Sequence, residues 1–537
     1  MKTHTKRILS MLLAAAMMFS LAACSSGSGD NNSKEPQNSS NVSQPSEGDS
    51  TGTVPGSVLN VVVNADMPVL TPMNNMNASG YMISVNVYEG LVRSKMGDWS
   101  DMQPCLAESW EISDDGLEYV FHLRQGVTFH DGSTFDAKDV IATFDYMKEK
   151  QPSYFTSIGS YEATDDYTVA VHMTAPYAYF INILGSLWFR MLSAEALEEY
   201  GDTDIRCAVG TGPFYIEANK TGECIITKAY QDYWDKDNIA RIETVNYNII
   251  TDSNTAFMSL QSGQNDVLTF ATALQYTTAQ ADPGLSTYEI INPCNWILGI
   301  NSTVAPLDKI EVRKAIDMCI DKEAVNQAGF DGLGFPTNST YVEESGVYAD
   351  MGHVYDPEGA VELLASVGVK PSDISLTLTC STGSAQKAMA ENVQAQLMNV
   401  GMKIDLITMD DGPANETRVT GNFELNLWDT GGNLYNPLGS ISQMFISQGV
   451  VACAYFTKTL PDFQKQADEE YVKAASCATG AEATALGQKL VEEYQIMYPW
   501  IPLVGGYLYQ LTSARTHGIL FDPGMGGYAH FQYAYVD

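Results

Sequence analysis

The strongest constraint on this chain lies in its second half, where helical and extended patterns alternate across short links. Residues 356–367 place apolar side chains at helical spacing, 374–380 read as a strand, 385–400 as a helix, and 403–409 and 424–429 as two further strands. Asp356-Pro357 opens the first helix with a capping carboxylate and a proline in its first turn. Gly368 and Gly401 stand where helices end in a left-handed residue. Strands that alternate with helices must pack as layers, so this region forms a compact α/β lobe.

The first half follows the same rule less regularly. Residues 119–124 alternate apolar and polar with period two, as a half-buried strand does, and 58–64, 168–173, 225–229, 245–250 and 296–300 read similarly. Helical stretches fall at 138–149, 312–321 and 486–497, the first opened by Asp136. At 537 residues the chain exceeds what one hydrophobic core organises, so two or three lobes are expected. No internal repeat is visible.

Charge narrows the partners. With 29 Lys and Arg against 65 Asp and Glu, the net charge is −36, and no basic patch follows the first seven residues. Such a surface repels polyphosphates, so no nucleic-acid partner is expected.

The N-terminus reads as an address. Lys2, Lys6 and Arg7 precede an apolar run, 8–21, that is too short to span a bilayer but suits a secretory signal. It ends in Leu21-Ala22-Ala23-Cys24, small residues before a cysteine, and residues 25–57 are rich in Ser, Asn, Gly and Pro. The segment 1–23 is therefore expected to be a lipoprotein signal peptide, Cys24 the lipidation site, and 24–57 a disordered tether. Eight further cysteines form no C-x-x-C pair, which argues against zinc or thioredoxin-like chemistry. Export permits disulfides, and Cys207 with Cys224 could staple a strand pair; buried free thiols are the alternative.

Several short motifs are turns. Asp114-Asp115-Gly116 reads as a hairpin turn needing a positive φ, His130-Asp131-Gly132 as a second turn, and Gly210-Thr-Gly-Pro as a tight bend feeding a strand. These stretches carry a resemblance. Leu106-Ala-Glu-Ser-Trp-Glu-Ile-Ser-Asp-Asp-Gly116, Tyr119 through Gly132, Phe135-Asp-Ala-Lys-Asp-Val140, Gly210 through Phe214, Leu298-Gly-Ile-Asn301 and Val312 through Ile316 stand in order. In that order they resemble family 5 extracellular solute-binding proteins of peptide and nickel ABC importers.

The resemblance implies an α/β fold of the periplasmic-binding-protein type: a two-lobe clamshell with an extra subdomain on the first lobe. It places the first lobe at 58–293, with the extra subdomain at about 88–205, the second lobe at 294–503, and a C-terminal return to the first lobe at 504–537. It implies a small-molecule or peptide ligand, permease subunits as partners, a monomer anchored to the membrane by lipid, and no cofactor. Crossovers are expected at 292–301 and near 500–503.

Peptide binders of this family carry an acidic residue four positions before a proline, where it meets the peptide's amino group. The matching stretch is Trp428-Asp-Thr-Gly-Gly-Asn-Leu-Tyr-Asn-Pro437, which puts neutral Asn433 at that position. An amide forfeits a charge-assisted bond of about 1.5–3 kcal/mol, and Asp429 could substitute if Gly431-Gly432 folds the loop back. Nickel-type members resemble the loop in having a tyrosine two positions before the proline, as Tyr435 stands here, but Tyr81 occupies the position of their methionine. The expected ligand-binding residues are Tyr81, Trp188, Arg190, Trp296, Trp428, Asn433 and Tyr435, with aromatic walls and Arg190 as a carboxylate clamp. No metal site is expected, since no histidine pair has ligand spacing.

Enzyme signatures are weak. Ser384-Ala-Gln-Lys387 fits S-x-x-K and Lys220-Thr-Gly222 fits K-T-G, but their order is reversed and no Ser-Asp-Asn occurs. Ser384 reads instead as the cap of the helix after it, and Lys220–Gly222 as a hairpin turn. A receptor or surface adhesin built on the same clamshell is the alternative class.

Overall fold

The structure is a computed structural model that describes residues 52–537, apart from 68, 73–76, 96–97, 448, 450–457, 478, 523 and 525. The expected signal segment, Cys24, Cys453 and tether residues 24–51 lie outside the described residues. No helix among the described residues is long and apolar enough to cross a membrane.

The first lobe is organised by a seven-stranded mixed sheet. At its centre Val54–Val63 runs parallel to Ile242–Ile249 and Val267–Ala271, with Leu59 opposite Val245 and Val61 opposite both Tyr247 and Val267. Antiparallel strands complete both sides: Cys224–Ala229 and Phe214–Lys220 on one, Tyr507–Ser513 and Leu285–Ile291 on the other. The pleat sends Leu59, Val61 and Val63 into the large first-lobe core and Val62 into a smaller cluster on the opposite face. Both faces are covered, as parallel strands require.

The central strand starts at Val54, four residues inside the stretch expected as tether. Val54 pairs with Ile242 ahead of a bulge, while Val54 and Val58 keep exposed side chains. Backbone pairing without burial leaves no alternation to read. A four-stranded antiparallel sheet, ordered Ala107–Ile112, Glu118–Leu123, Thr168–Met173 and Ile158–Asp165, packs with helix Ala137–Lys150 into the same core. Asp136 caps that helix in a capping box with Asp139. Gly116 has φ +67° between the first two of these strands, as its turn demands.

The second lobe holds a six-stranded sheet ordered Phe335–Pro336, Trp500–Gly505, Trp296–Ile300, Leu425–Asp429, Ser375–Ser381 and Lys403–Met409. Leu298, Ile300, Leu378, Leu425 and Leu427 face one core, packed by helices Ile310–Met318, Lys322–Phe330, Pro357–Ser366 and Ser384–Asn399. Ile297, Trp428 and Trp500 face a second core with helices Pro437–Phe445, Pro461–Ala475 and Gly480–Gln495. Helix Asp411–Thr420, not expected, joins the last two parallel strands of the alternation and buries none of its residues. The chain passes between the two sheets at 292–295 and returns at Gly506, and the two passages are tied by Asn292 N–H donating to the Gly506 carbonyl at 3.1 Å.

One local expectation fails and one open alternative is decided. Gly383, with no side chain to bond, occupies the N-cap position assigned to Ser384, which is the first residue inside the helix. The seven described cysteines are all free, so Cys207 and Cys224 form no staple. Cys207 is buried as the last residue of a 3-10 turn while Cys224 lies in a strand at a hairpin.

Candidate functional site

In open α/β sheets solutes lodge beyond the carboxyl ends of parallel strands, where loops and helix N-termini converge. The residues beyond these ends in the two lobes meet. In the first lobe, helix Ala78–Val87 follows the central strand and is capped by Asn77, whose Oδ1 accepts the Gly80 N–H at 2.9 Å. That cap sets the helix turn that presents Tyr81. The neighbouring strand Val267–Ala271 carries Phe270, one residue before its end, at φ +58°, a conformation a bulky residue adopts only when its surroundings impose it. The Phe270 N–H donates to Gln510 Oε1 at 3.3 Å.

These positions build one aromatic wall. Phe270 meets Tyr528 at 6.2 Å between ring centroids, Tyr528 meets Tyr81 at 6.1 Å, and Tyr81 meets Trp188 edge-to-face at 4.9 Å. All four are half-buried, as a wall with one open side would be. Burial, reinforced by Tyr528, raises the Tyr81 phenol far above its ordinary range, so it stays neutral.

Two residues past Trp188 stands Arg190, only 9 % exposed, with its Nε buried and unpartnered. Among the described residues no carboxylate pairs with it. Its charge is felt by Tyr435, His530 and Cys105. Burial pushes the His530 imidazole down, opposed by Asp522 and reinforced by Arg190 and Arg93, and His530 Nε2 is also buried without a partner.

From the second lobe, strand Leu425–Asp429 ends in the loop 430–436. Tyr435, 2 % exposed, crosses to the first lobe, where its hydroxyl lies 2.9 Å from Ser94 Oγ and 2.5 Å from Asp522 Oδ2. Tyr177 adds a cross-lobe bond to Asn436 Oδ1 at 3.1 Å. The lobes are closed on one another.

Of the expected site residues, Tyr81 and Trp188 touch, and the charge of Arg190 reaches Tyr435. Three others stand apart. Trp428 is 5 % exposed inside the second-lobe core, because it pairs with Ile297 on the same sheet face; its indole lies over Gly299, where a Cβ would fall 1.9 Å away. Trp296 is half-buried against the core on the opposite face. Asn433 is turned into its own loop, its Oδ1 accepting the Tyr435 N–H at 2.9 Å while its N–H donates to Ser440 Oγ at 3.0 Å.

Phe270, Asp522, Tyr528, His530 and Ser94 were not foreseen. Three of them come from one C-terminal hairpin, Leu520–Asp522 with Tyr528–His530, whose sequence signals a turn at Gly526-Gly527 but nothing about a cleft. No cluster of three or more His, Cys, Asp or Glu among the described residues is placed to hold a metal ion.

Two α/β lobes joined by paired crossings, with an aromatic wall and a buried arginine in the first, have the form of a solute-binding protein. The family model described as bacterial extracellular solute-binding proteins, family 5 (Middle), matches residues 101–451, and the chain belongs to that family, the solute-binding components of ABC importers. It is 29% identical over 485 residues to the glutathione-binding protein GsiB of Salmonella paratyphi A, covering 87% of this chain and 92% of GsiB. Its fold matches NikA from Brucella suis, solved with Fe(III)-EDTA, at TM-score 0.79 and 22% identity over 89% of this chain and 100% of NikA. It also matches DppA from Helicobacter pylori, solved with the peptide STSA, at TM-score 0.74 and 24% identity over 89% of this chain and 98% of DppA.

Proposed function

We propose that the chain captures a short peptide, or a comparable solute bearing a carboxylate, between its lobes and hands it to the importer's permease with no bond made or broken. Arg190 carries the reading. A buried guanidinium without a partner is costly, and a solute carboxylate would supply two parallel charge-assisted hydrogen bonds. The wall of Tyr81, Trp188, Tyr528 and Phe270 adds apolar area with few rotamers to freeze. A relative named for glutathione binding and a neighbour holding a tetrapeptide support the class. The amino end of the solute is left without an acidic anchor at 433, because Asn433 is neutral and its Oδ1 is engaged within the loop.

A chelate is the second reading. It brings its own metal ligands, and an unpaired Arg190 suits a polycarboxylate of the kind held by NikA. The chain is exported, held at the outer face of the bacterial cytoplasmic membrane by acyl groups on Cys24, and works as a monomer. Lys2, Lys6, Arg7 and the run to Ala23-Cys24 support the anchor. Substituting Cys24→Ala should release the protein from the membrane fraction; a variant that stays bound would refute the anchor.

Thermal shift tests the solute. A saturating ligand at a hundredfold over Kd stabilises by about 2.7 kcal/mol. Free peptides should raise the melting temperature and C-terminally amidated ones should not. A broad panel of peptides and chelates that leaves the melt unmoved would overturn the transport reading.

A further inference from the structure

We propose that Tyr435 is a latch between the lobes, holding them closed by bonding to Asp522 and Ser94, rather than a contact to the solute. The proposal rests on the two-lobe solute-binding reading. Tyr435 belongs to a loop, yet it is 2 % exposed, and its hydroxyl is used up within the protein. It donates to Asp522 Oδ2 at 2.5 Å and shares a hydrogen bond with Ser94 Oγ at 2.9 Å. The two partners sit on separate first-lobe elements, Ser94 on strand Val92–Lys95 and Asp522 on the C-terminal hairpin. A phenol saturated in this way has little left to offer a solute.

Each half of the latch is arranged by its own lobe. On the second-lobe side, Asn433 Oδ1 fixes the Tyr435 N–H and Ser440 Oγ fixes the Asn433 N–H. On the first-lobe side, Asp522 Oδ1 accepts the Gly524 N–H at 2.8 Å, which turns its other oxygen toward the cleft. Gly524 completes the seat. Its carbonyl accepts the Leu434 N–H at 3.2 Å, and a Cβ there would stand 2.3 Å from Tyr435 Cε2, so the ring fits only against glycine. Burial, and next the Asp522 charge, hold the phenol well above its usual range, which keeps the donated proton in place.

These bonds cross from one lobe to the other, so they exist only while the lobes are apposed. Interactions present in one state alone shift the balance between states. The latch therefore lengthens the residence of any solute by one common factor and plays no part in choosing it. Loss of a hydrogen bond to a charged partner corresponds to about a tenfold change.

The test uses the mature chain, with glutathione and trialanine as probes. Dissociation rates are read by stopped-flow tryptophan fluorescence for the wild type, Tyr435→Phe, Asp522→Asn and the double variant. The latch requires each single variant to speed dissociation about tenfold, by the same factor for both probes, with the double variant no worse than the more severe single one. Factors that differ severalfold between probes would make Tyr435 a solute contact and overturn the proposal, as would additive singles or unchanged rates. If Asp522→Asn fails to fold, Ser94→Ala replaces it under the same criteria. If neither probe binds the wild type, the choice of solute class fails while the latch is still tested by X-ray scattering of the ligand-free protein. Tyr435→Phe must then be more open than the wild type; identical scattering would overturn it.

Discussion

Replacing Arg190 by methionine should move stability and binding in opposite directions. Arg190 is 9 % exposed, its Nε is buried without a partner, and no carboxylate among the described residues forms an ion pair with it. Methionine keeps an aliphatic stem of similar length and removes the charge. Because an unpaired buried charge is a burden on the folded state, ligand-free stability should hold or rise by about 1–2 kcal/mol. The solute loses a charge-assisted pair, a penalty of about 1.5–3 kcal/mol, or roughly ten- to a hundredfold in Kd. Urea unfolding of the ligand-free protein gives the first quantity and titration calorimetry with a free-carboxylate peptide gives the second. C-terminal amidation of the peptide should cost the wild type as much as the substitution does, and should cost the variant nothing further. A variant that is less stable without ligand, or that binds the free peptide within threefold of wild type, would refute the reasoning.

Other outcomes follow from the same geometry. Blocking the peptide amine should leave affinity unchanged, because position 433 holds a committed amide; a tenfold loss in calorimetry would restore an amine anchor. Gly299→Ala would drive a Cβ to 1.9 Å from the Trp428 indole and should destabilise the protein by about 1–3 kcal/mol in urea, with no change in m-value; unaltered stability would refute that packing. His130 accepts the Gly210 N–H on Nδ1 at 3.2 Å and places Nε2 2.9 Å from the Gly212 carbonyl, which selects the neutral ring. Burial pushes its pKa down from 6.5 to about 4, so between those values the unfolded chain binds more protons and stability falls as the pH drops. His130→Gln should flatten that part of the unfolding profile, and an unchanged slope would count against it.

The sequence was most legible where local rules and tertiary packing agree. The strand at 403–409 and the cap at Asp136 stand as expected, because a period-two alternation and a capping carboxylate express themselves within a few residues. Helix Asp411–Thr420 was missed for the complementary reason. It buries no side chain, so it has no apolar stripe, and Gly412-Pro413 reads as a break although proline is tolerated in a first turn.

The cleft was legible only in part. Tyr81 and Trp188, candidates by the family resemblance, share the aromatic wall, but an aromatic residue's type does not say which side of a sheet it takes. Trp428 and Trp296 leave the same six-stranded sheet on opposite faces, and registers with Ile297 and Asp429 decide that.

By itself, then, the order of residues determined the alternation of strands and helices, a chain of more than one lobe and the neutral residue at 433, while the two-lobe class came with the family resemblance. The tertiary structure decided which groups share the cleft. Phe270, Tyr435 and the hairpin carrying Asp522, Tyr528 and His530 are far apart in the chain and meet only because two sheets align their strand ends and the C-terminus returns to the first lobe. Contacts at such separations depend on the whole packed arrangement, and no local pattern encodes them.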